Sequence, residues 1–352
     1  MPASWLPTTD ATPMAAIETL PARLYCDPEN FAAERERIFA RHWILVAHEG
    51  QLARPGDFIT AAIAGKPIFV LRDRDGALRG FHNVCRHRAS PLLRSASGQC
   101  GVLRCPYHGW VYDQTGRLRK APGFEADALD PDGWSLWPVR VERWNGLVFA
   151  CLDADAVPLE TWLGEIVPLA AEFPAIAALR FAGETVCEAP TDWKAYGDNS
   201  CEGYHLSHVH HDLSAVLVKE NTRIVPVEDG QFVRFDVAYR SADSSPPVPG
   251  MWIYKFPATL MVLSSRSATI DQVTPLAAGQ MRIFRWLWLS PERNDGEAAL
   301  GFADQVLRED MQISDLVQRN LATGIYERGI LSEAREPGTI AFQRWYREAM
   351  AA

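Results

Sequence analysis

The sequence predicts an α+β protein of two domains: a small all-β domain, followed by a domain whose antiparallel sheet curls around a long C-terminal helix. Three observations support this prediction. Short strand-like runs separated by glycine and proline fill residues 42–153, strand-like runs return from Phe181, and residues 298–321 repeat apolar side chains at helical spacing. A chain of 352 residues, 47% hydrophobic and 22% charged, is long enough for two globular domains.

The predicted domain boundaries follow these changes of pattern. Residues 1–40 contain the helix-favouring segment FAAERERIF, which we assign to the second, α+β domain. Residues 41–155 form the all-β domain, whose strands are bounded by turn residues such as Asp75-Gly76 and Asn145-Gly146. Residues 156–352 form the α+β domain, which opens with a helical, proline-punctuated link, VPLETWLGEIVPLAAEF.

The second domain combines strands with two predicted helices, one around Trp193 to Val209 and one from about Ala298 to Leu321. A sheet that curls around a helix encloses a cavity, which is a natural substrate site. The run QMRIFRWLWLS alternates two faces, so either its aromatic or its aliphatic side chains can line that cavity. The aromatic set is Phe284, Trp286 and Trp288, and the aliphatic set is Ile283, Leu287 and Leu289.

The bulk charge and the cysteine usage narrow the classes of partner and compartment. A formal net charge of −9, with no basic face, argues against nucleic acid or an anionic membrane as the main partner. The opening segment MPASWLPTTD lacks a basic start and an uninterrupted apolar run, so we expect no signal peptide. The seven cysteines are odd in number and widely spread, which is typical of a reducing compartment, and we expect the cytoplasm.

The stretch CRHRASPLLRSASGQCGVLRCPYH contains the first candidate metal site. It places Cys85 with His87, and Cys105 with His108, on either side of a polar connector. Structural zinc modules of this composition keep both cysteines in one loop and both histidines in the other, whereas here each loop carries one of each. Two cysteines on one iron and two histidines on the other is the Rieske [2Fe-2S] ligand set. Structural zinc and ordinary buried cysteines with surface histidines are the alternatives.

A second candidate site lies in DWKAYGDNSCEGYHLSHVHHD. Helical spacing from Asp198 leads to Glu202 and then to His205, which places the three side chains on one helix face. The alternative is a histidine-rich surface loop. Helix geometry does not decide the partner of His205, because His208 is nearer in angle, whereas His210 requires the helix to end or bulge first.

The long C-terminal helix supplies a third candidate ligand for this second site. Asp310 occupies a position in an apolar stripe of Phe302, Val306, Ile313, Val317 and Leu321, while Glu309 and other charged side chains fall on the polar face. A buried carboxylate needs a cation. Two histidines and Asp310 would form a facial triad for non-haem Fe(II) with positions open for dioxygen. A salt bridge from Asp310 to Arg282 or Arg285 is the alternative.

Nearly the whole chain resembles the catalytic (alpha) subunit of a Rieske non-haem iron oxygenase. The resemblance rests on these two motifs and on three further segments, WNGLVFACLD, DWKAYGDN and LREDMQISDLVQRNL. The resemblance implies a helix-grip (START-like) catalytic domain behind the Rieske domain. It also implies that His205, His210 and Asp310 bind the mononuclear iron. His208 and His211 are then outer or surface residues.

The resemblance further implies an electron route. Family members are usually trimers in which the Rieske cluster of one subunit lies near the mononuclear iron of the next, and an acidic residue joins a histidine of each. Glu202 occupies that bridge position, and Asp198 would orient the ligands. Because no dinucleotide-binding fingerprint occurs in the chain, we expect a separate flavin and iron–sulfur reductase, acting directly or through a ferredoxin, to deliver NAD(P)H electrons.

Many aromatic-ring dioxygenases have aspartate at the bridge position. With glutamate there, this chain is more similar to the homotrimeric oxygenases of choline, glycine betaine and carnitine type. We therefore expect hydroxylation or oxidative demethylation of a small organic molecule, with quaternary ammonium compounds as one candidate class. An aromatic ring-hydroxylating dioxygenase is the alternative within the family. A Rieske electron-transfer protein without oxygenase activity, which would have no mononuclear iron, is the alternative from another class.

Overall fold

The structure is a computed structural model that describes residues 17–125, 128–218, 222–241 and 244–352. The opening segment on which the absence of a signal peptide was argued lies outside the described residues. Among the described helices, none has the length and apolar composition needed to cross a bilayer.

The first domain is a seven-stranded antiparallel sheet with a smaller three-stranded sheet beside it. A tight hairpin between the last two strands of this domain turns at Asn145 and Gly146, whose φ values of +51° and +79° suit the twist of paired strands. The strands of the large sheet are β2 (Ile44–His48), β3 (Asp57–Ile63), β4 (Lys66–Arg72), β5 (Leu78–His82), β6 (Ser97–Gln99), β10 (Pro138–Trp144) and β11 (Leu147–Cys151). The small sheet contains β7 (Leu103–Arg104), β8 (Val111–Tyr112) and β9 (Leu118–Lys120).

The second domain contains a seven-stranded antiparallel sheet. Its strands are β12 (Arg180–Ala189), β13 (Arg223–Val227), β14 (Phe232–Ser241), β15 (Ser244–Lys255), β16 (Thr259–Ser264), β17 (Ser267–Ala277) and β18 (Gln280–Leu289). They lie in the order β12-β18-β17-β16-β15-β14-β13. The helices of this domain are α4 (Trp193–Ser200), α5 (Leu206–Val209), α6 (His211–Val216), α7 (Gly296–Leu321) and α8 (Pro337–Ala351).

Two short helices, α2 (Leu159–Leu163) and α3 (Ile166–Ala170), connect the domains, as the link sequence predicted. The aromatic face of β18 packs with this link and with the first domain, because Trp286 and Trp288 share a core with Trp43 and Phe149. The aliphatic side chains of β18 lie on the opposite face of the strand, toward α7.

The N-terminal segment packs on the second domain. It contains α1 (Pro28–Glu34) and a single turn of π-helix, Arg35–Phe39, while β1 (Ile17–Glu18) pairs with β19 (Ile330–Leu331). Phe39 meets Trp193 of α4 edge to face, with ring centroids 5.0 Å apart. The domain boundaries at residues 40 and 155 stay predictions.

Two helix predictions differ from the structure. The predicted helix around Trp193 to Val209 is wrong as one element, because α4 ends at Ser200 and helix resumes only at Leu206. The apolar stripe predicted for the last helix is also displaced. In α7 the buried residues are Leu307, Asp310, Met311, Ser314 and Gln318, whereas Phe302, Ile313 and Val317 are exposed.

Candidate metal centres and the cavity beside them

Two similar loops carry the four residues of the first candidate site. One loop follows β5 and the other follows β7. In each, the cysteine carbonyl accepts a hydrogen bond from the amide four residues later, at Ala89 and at Gly109, and both of these residues have positive φ. The loops bring the Nδ1 atoms of His87 and His108 to 3.2 Å from each other. Two imidazole nitrogens at this distance suit a shared metal ion.

Hydrogen-bond donors surround the sulfurs of Cys85 and Cys105, and both residues are 2% exposed. Burial by itself would raise the pKa of Cys105, but the amide N–H groups of Tyr107 and His108 hold it below the usual thiol value. Tyr112 lies with its hydroxyl 3.4 Å from the Sγ of Cys85. Sulfurs that already face N–H and O–H donors are prepared to carry the negative charge of thiolate ligands, so this site fits a [2Fe-2S] cluster.

The second candidate site is formed where the helical segment breaks. His205 precedes α5, and His210 lies between α5 and α6 with φ −109° and ψ 77°, outside the helical range. This break directs both imidazoles toward Asp310 of α7. The Asp310 Oδ1 atom lies 2.9 Å from His210 Nε2 and 3.7 Å from His205 Nε2.

The ligand atoms of these three residues all lie within 4.8 Å of one another, so a single ion can reach all of them. Burial lowers the pKa of His210, but the carboxylates of Asp310 and Glu309 outweigh burial and raise it. The site therefore favours a cation. Two imidazoles and one carboxylate are the donor set of non-haem Fe(II) sites.

Each histidine of this cluster has a carboxylate behind it. Glu202 contacts the Nδ1 atom of His205, and Glu309 contacts the Nδ1 atom of His210 at 2.7 Å. Such contacts fix the ring orientation and leave Nε2 to face the ion. The sequence pattern placed Glu309 on the polar face of the helix, where it lies beside Gln305. Its contact with His210 from the edge of that face was not predicted.

Asn199 is a second residue that the sequence analysis missed. Its Nδ2 atom donates a hydrogen bond to Asp310 Oδ1 at 2.6 Å. The only sequence signal was its position next to Asp198 in the predicted helix. Asp198 itself contacts neither histidine; it accepts hydrogen bonds from Tyr25 at 2.6 Å and from Gln343 at 2.9 Å. Burial raises the pKa of Asp198 to about 7.

The alternative partners considered for Asp310 are engaged elsewhere. Arg285 forms a buried ion pair with Asp271 at 2.5 Å, and Arg282 pairs with Glu188 at the surface. The remaining histidines of the motif, His208 and His211, are exposed.

A cavity of about 840 Å³ adjoins the three clustered residues. It runs along α7 from Asp310 to Ala298, which is about 18 Å at 1.5 Å per helical residue. Leu287 and Leu289 of β18 line the cavity, whereas Phe284, Trp286 and Trp288 do not. The aromatic lining comes instead from other elements, and it consists of Tyr196, Tyr239, Trp252 and Phe302.

The fold and these two clusters define a two-domain protein with one side-chain set suited to an iron–sulfur cluster and another suited to a mononuclear metal. Residues 42–139 match the sequence model of the Rieske [2Fe-2S] domain. Residues 176–352 match the model of the ring hydroxylating alpha subunit catalytic domain. The chain belongs to the ring-hydroxylating alpha-subunit family, which confirms the predicted family and fold class.

The family match also confirms both predicted cofactors. A Rieske domain binds a [2Fe-2S] cluster, and the catalytic domain of this family binds mononuclear iron. Members of the family take electrons from a reductase or ferredoxin and use O2 with an organic substrate.

Individual relatives include both mono- and dioxygenases. The chain is 38% identical over 198 residues to the carnitine monooxygenase oxygenase subunit of Escherichia coli K12, covering 56% of this chain. It is 36% identical over 202 residues to a benzene 1,2-dioxygenase alpha subunit of Pseudomonas putida, covering 55% of this chain. These alignments span about half of the curated relatives, 53% and 44% of their lengths respectively.

Solved structures extend the likeness to nearly the whole chain. A quaternary ammonium Rieske monooxygenase superposes with a TM-score of 0.87 and 28% identity, covering 95% of this chain and 96% of the other. A naphthalene 1,2-dioxygenase has a TM-score of 0.79 at 21% identity, covering 95% of this chain and 93% of the other, and shares the fold.

Proposed function

We propose that the chain is the terminal oxygenase component of a Rieske non-haem iron oxygenase system. It uses O2 and NAD(P)H-derived electrons to hydroxylate or oxidatively demethylate a small organic substrate. The observation that carries the proposal is the convergence of His205, His210 and Asp310 beside a large cavity, in the same chain as the Cys85/His87/Cys105/His108 loops.

The proposed division of roles follows from the atoms that converge. Cys85 and Cys105 bind one iron of the cluster, and His87 and His108 bind the other through Nδ1. His205 and His210 present Nε2, and Asp310 presents a carboxylate oxygen, to the mononuclear iron. When bound, the cluster supplies single electrons and the mononuclear iron supplies dioxygen activation. Apolar side chains of the cavity wall, among them Leu206, Leu213 and Leu287, would pack against an organic substrate beside these residues.

Glu202 is proposed to join the two metal centres of neighbouring subunits. Its carboxylate holds His205 at Nδ1, and its side chain also lines a second, outer cavity of about 690 Å³. From that position a carboxylate can hold the imidazole of one subunit and hydrogen-bond a histidine of another. Asp198 lies behind it, and its proposed part is to hold α4 through Tyr25 and Gln343.

Replacing Glu202 tests this bridge. In Glu202→Gln we expect unchanged iron and sulfide content, with turnover reduced about 10- to 100-fold, because the amide changes the hydrogen bonding behind the ligand. Glu160→Gln, at an exposed carboxylate of α2, is the matched control and should behave as wild type. Wild-type turnover in Glu202→Gln would remove the bridge from the mechanism.

A homotrimer is proposed on the family resemblance and on the surface around Glu202. Ile313, Leu316, Val317 and Ile325 leave 36%, 55%, 45% and 89% of their surface exposed, and three of them line the same outer cavity as Glu202. A second subunit that presents its cluster loops here would cover these side chains. On those loops Tyr107, beside His108, is 55% exposed.

Light scattering tests the trimer. Introducing a charge at this face, as in Leu316→Glu, should yield monomers that retain the cluster, because an unpaired carboxylate in an apolar interface is costly. Val186→Glu, on another surface where the side chain is 54% exposed, is the control and should remain trimeric. A monomeric wild-type chain would contradict the proposal.

The proposed substrate class is quaternary ammonium compounds, because the 38% identical relative and the structure with a TM-score of 0.87 are named for carnitine and for quaternary ammonium. Aromatic ring dihydroxylation is the second candidate, since relatives with 36% identity are benzene and chlorobenzene dioxygenase subunits. Formaldehyde release distinguishes N-demethylation from ring dihydroxylation. The electron-transfer alternative predicts a chain that purifies without mononuclear iron.

A separate flavin and iron–sulfur reductase, acting directly or through a ferredoxin, is the proposed electron donor. A cytoplasmic location belongs to the same proposal, supported by seven cysteines without a disulfide. Reconstituted turnover with a purified reductase and cell fractionation test these two points.

A further inference from the structure

Tyr239 of β14 lies across the neighbouring strand β15 and reaches Trp252. The Nε1–H group of Trp252 donates a hydrogen bond to the hydroxyl oxygen of Tyr239, at 2.6 Å. The ring passes directly over Gly250, where a Cβ atom would be only 2.5 Å from Tyr239 Cε2. The tyrosine is therefore held in one orientation by a glycine that makes room for its ring and by an indole that anchors its oxygen.

This arrangement leaves the hydroxyl proton of Tyr239 free. An indole N–H is a donor only, so the tyrosine oxygen must be the acceptor in the contact with Trp252. Among the described residues, no acceptor contacts the Tyr239 hydroxyl. Burial raises the pKa of Tyr239 to about 12, despite the hydrogen bond from Trp252, so the proton is retained at neutral pH.

The other cavity tyrosine provides a contrast. The hydroxyl of Tyr196 lies 3.3 Å from Asp271 Oδ2, so a protein carboxylate is available to accept its proton. Tyr239 is half-buried, and it lines the cavity together with Trp252 and the three clustered residues of the mononuclear site. Val248, Leu260 and Val262, which line the same cavity, are apolar.

We propose that Tyr239 is a specificity-determining residue that donates its hydroxyl proton to an acceptor oxygen of the substrate. The preferred substrates are therefore molecules that carry a carboxylate, carbonyl, hydroxyl or ether oxygen, and pure hydrocarbons are disfavoured. A donor fixed in advance in an apolar wall is left unpaired by a ligand that lacks the matching oxygen, which is how buried polar groups discriminate strongly. The inference rests on the proposed function in taking this cavity as the substrate site.

Two pairs of probes test the inference on the iron-loaded enzyme without oxygen, by calorimetry. One pair is γ-butyrobetaine and pentyltrimethylammonium, and the other is acetophenone and ethylbenzene; within each pair only the first carries oxygen. In Tyr239→Phe we expect affinity for γ-butyrobetaine to fall about 10- to 100-fold, or that for acetophenone about 3- to 10-fold. Affinity for the oxygen-free members should change less than about twofold.

Two further variants separate this role from a structural one. Gly250→Ala should reproduce the loss for the oxygen-bearing probe, because the added methyl group displaces the ring of Tyr239. Tyr254→Phe is the matched control. It removes a buried hydroxyl of β15 that donates to the Pro257 carbonyl at 3.0 Å, so it should lower stability without changing the preference between probes.

The inference is overturned if Tyr239→Phe weakens both members of a pair equally or weakens neither, or if the wild type binds neither oxygen-bearing probe. Such a result in a chain that holds both iron centres leaves the oxygenase proposal intact. Conversely, a chain that binds these probes through Tyr239 but contains no iron keeps the specificity inference and removes the proposed oxygenase.

Discussion

A buried charged cluster around Lys194 links parts of the second domain that are distant in sequence. Lys194 of α4 is fully buried, and its Nζ atom lies 2.6 Å from Glu34 of the N-terminal segment and 2.6 Å from Asp192. Glu34 also accepts hydrogen bonds from Trp193 and from Tyr346 of α8. Lys194 and Glu34 together thus link the N-terminal segment, α4 and α8.

Removing the ammonium group of Lys194 should lower the free energy of unfolding substantially. In Lys194→Met the two carboxylates lose their counter-ion, and we expect a loss of about 3–5 kcal/mol in the free energy of unfolding. Urea denaturation of the metal-loaded chain measures it. Lys66→Met, which removes an exposed pair with Glu36, is the control and should cost about 0–1 kcal/mol. Equal small losses in both variants would contradict the central place of this network.

The raised pKa of Asp198 predicts how the stability of the folded chain varies with pH. Burial raises its pKa to about 7, above the ordinary carboxyl value of 3.8, although hydrogen bonds from Tyr25 and Gln343 and the charge of Lys194 oppose the shift. Because the folded-state pKa is raised, the stabilisation is complete below about pH 4 and is lost as pH rises through about 7.

The stability difference between wild type and Asp198→Asn isolates this group. We expect the wild type to lose stability relative to the variant between about pH 4 and pH 8, since the variant has no proton to release. Denaturation at a series of pH values gives the difference. A relative gain for the wild type with rising pH would show that the carboxyl is not held protonated by burial.

Residue patterns selected the three side chains that converge at the second candidate site, but not the side chains around them. Asp310 was recognised as a buried carboxylate, although the stripe used to find it was displaced. The buried face of α7 contains Ser314 and Gln318, and Gln318 bonds to Asp192 and Tyr25, which are distant in sequence. Because this face alternates apolar Leu307 and Met311 with polar residues, its apolar period is interrupted, and spacing alone selected the neighbouring, exposed face.

At the scale of whole elements, α8 packs closely on the end of α4, just before the segment that carries His205 and His210. Gly338 in the first turn of α8 lies against the Cys201 carbonyl, where an added Cβ would be 2.0 Å from the oxygen. Backbone cannot yield as a flexible side chain can. Gly338→Ala should therefore move α8 and destabilise the domain by about 1–3 kcal/mol.

Gly301 of α7 is the matched comparison, because a Cβ there meets nothing within 4 Å. Gly301→Ala should stabilise the chain by about 0.5–1 kcal/mol through helix propensity alone. Thermal unfolding of the two variants in parallel checks the pair. Similar melting temperatures for both would contradict the packing of α8 on α4.

The sequence pattern did not decide where the helical segment from α4 to α6 is interrupted, and therefore did not decide which histidine pairs with His205. Ideal helix geometry favoured His208 over His210 as the partner of His205, and only the family resemblance selected His210. The structure brings His210 to Asp310 by ending α5 at Val209 and leaving His210 non-helical. Local propensity cannot predict such a break, because it is stabilised by contacts with α7 that lie about 100 residues away.

At the scale of the whole molecule, the sequence predicted the two sheets, but it did not predict which side chains pack between the domains. The strand pattern identified both sheets, since alternation is a local property. The assignment of Trp286 and Trp288 to one side or the other required knowledge of what covers each face. The first domain covers the aromatic face, and α7 leaves the cavity on the aliphatic one.

The proposed function requires a Rieske cluster and a separate mononuclear iron in the same chain. The iron, zinc and acid-labile sulfide content of protein purified without air, together with the EPR spectrum of the reduced state, tests this requirement directly. We expect about three irons and two sulfides per chain with a Rieske-type signal. Zinc without sulfide would contradict it, and about two irons that added Fe(II) cannot raise to three would leave an electron carrier rather than an oxygenase.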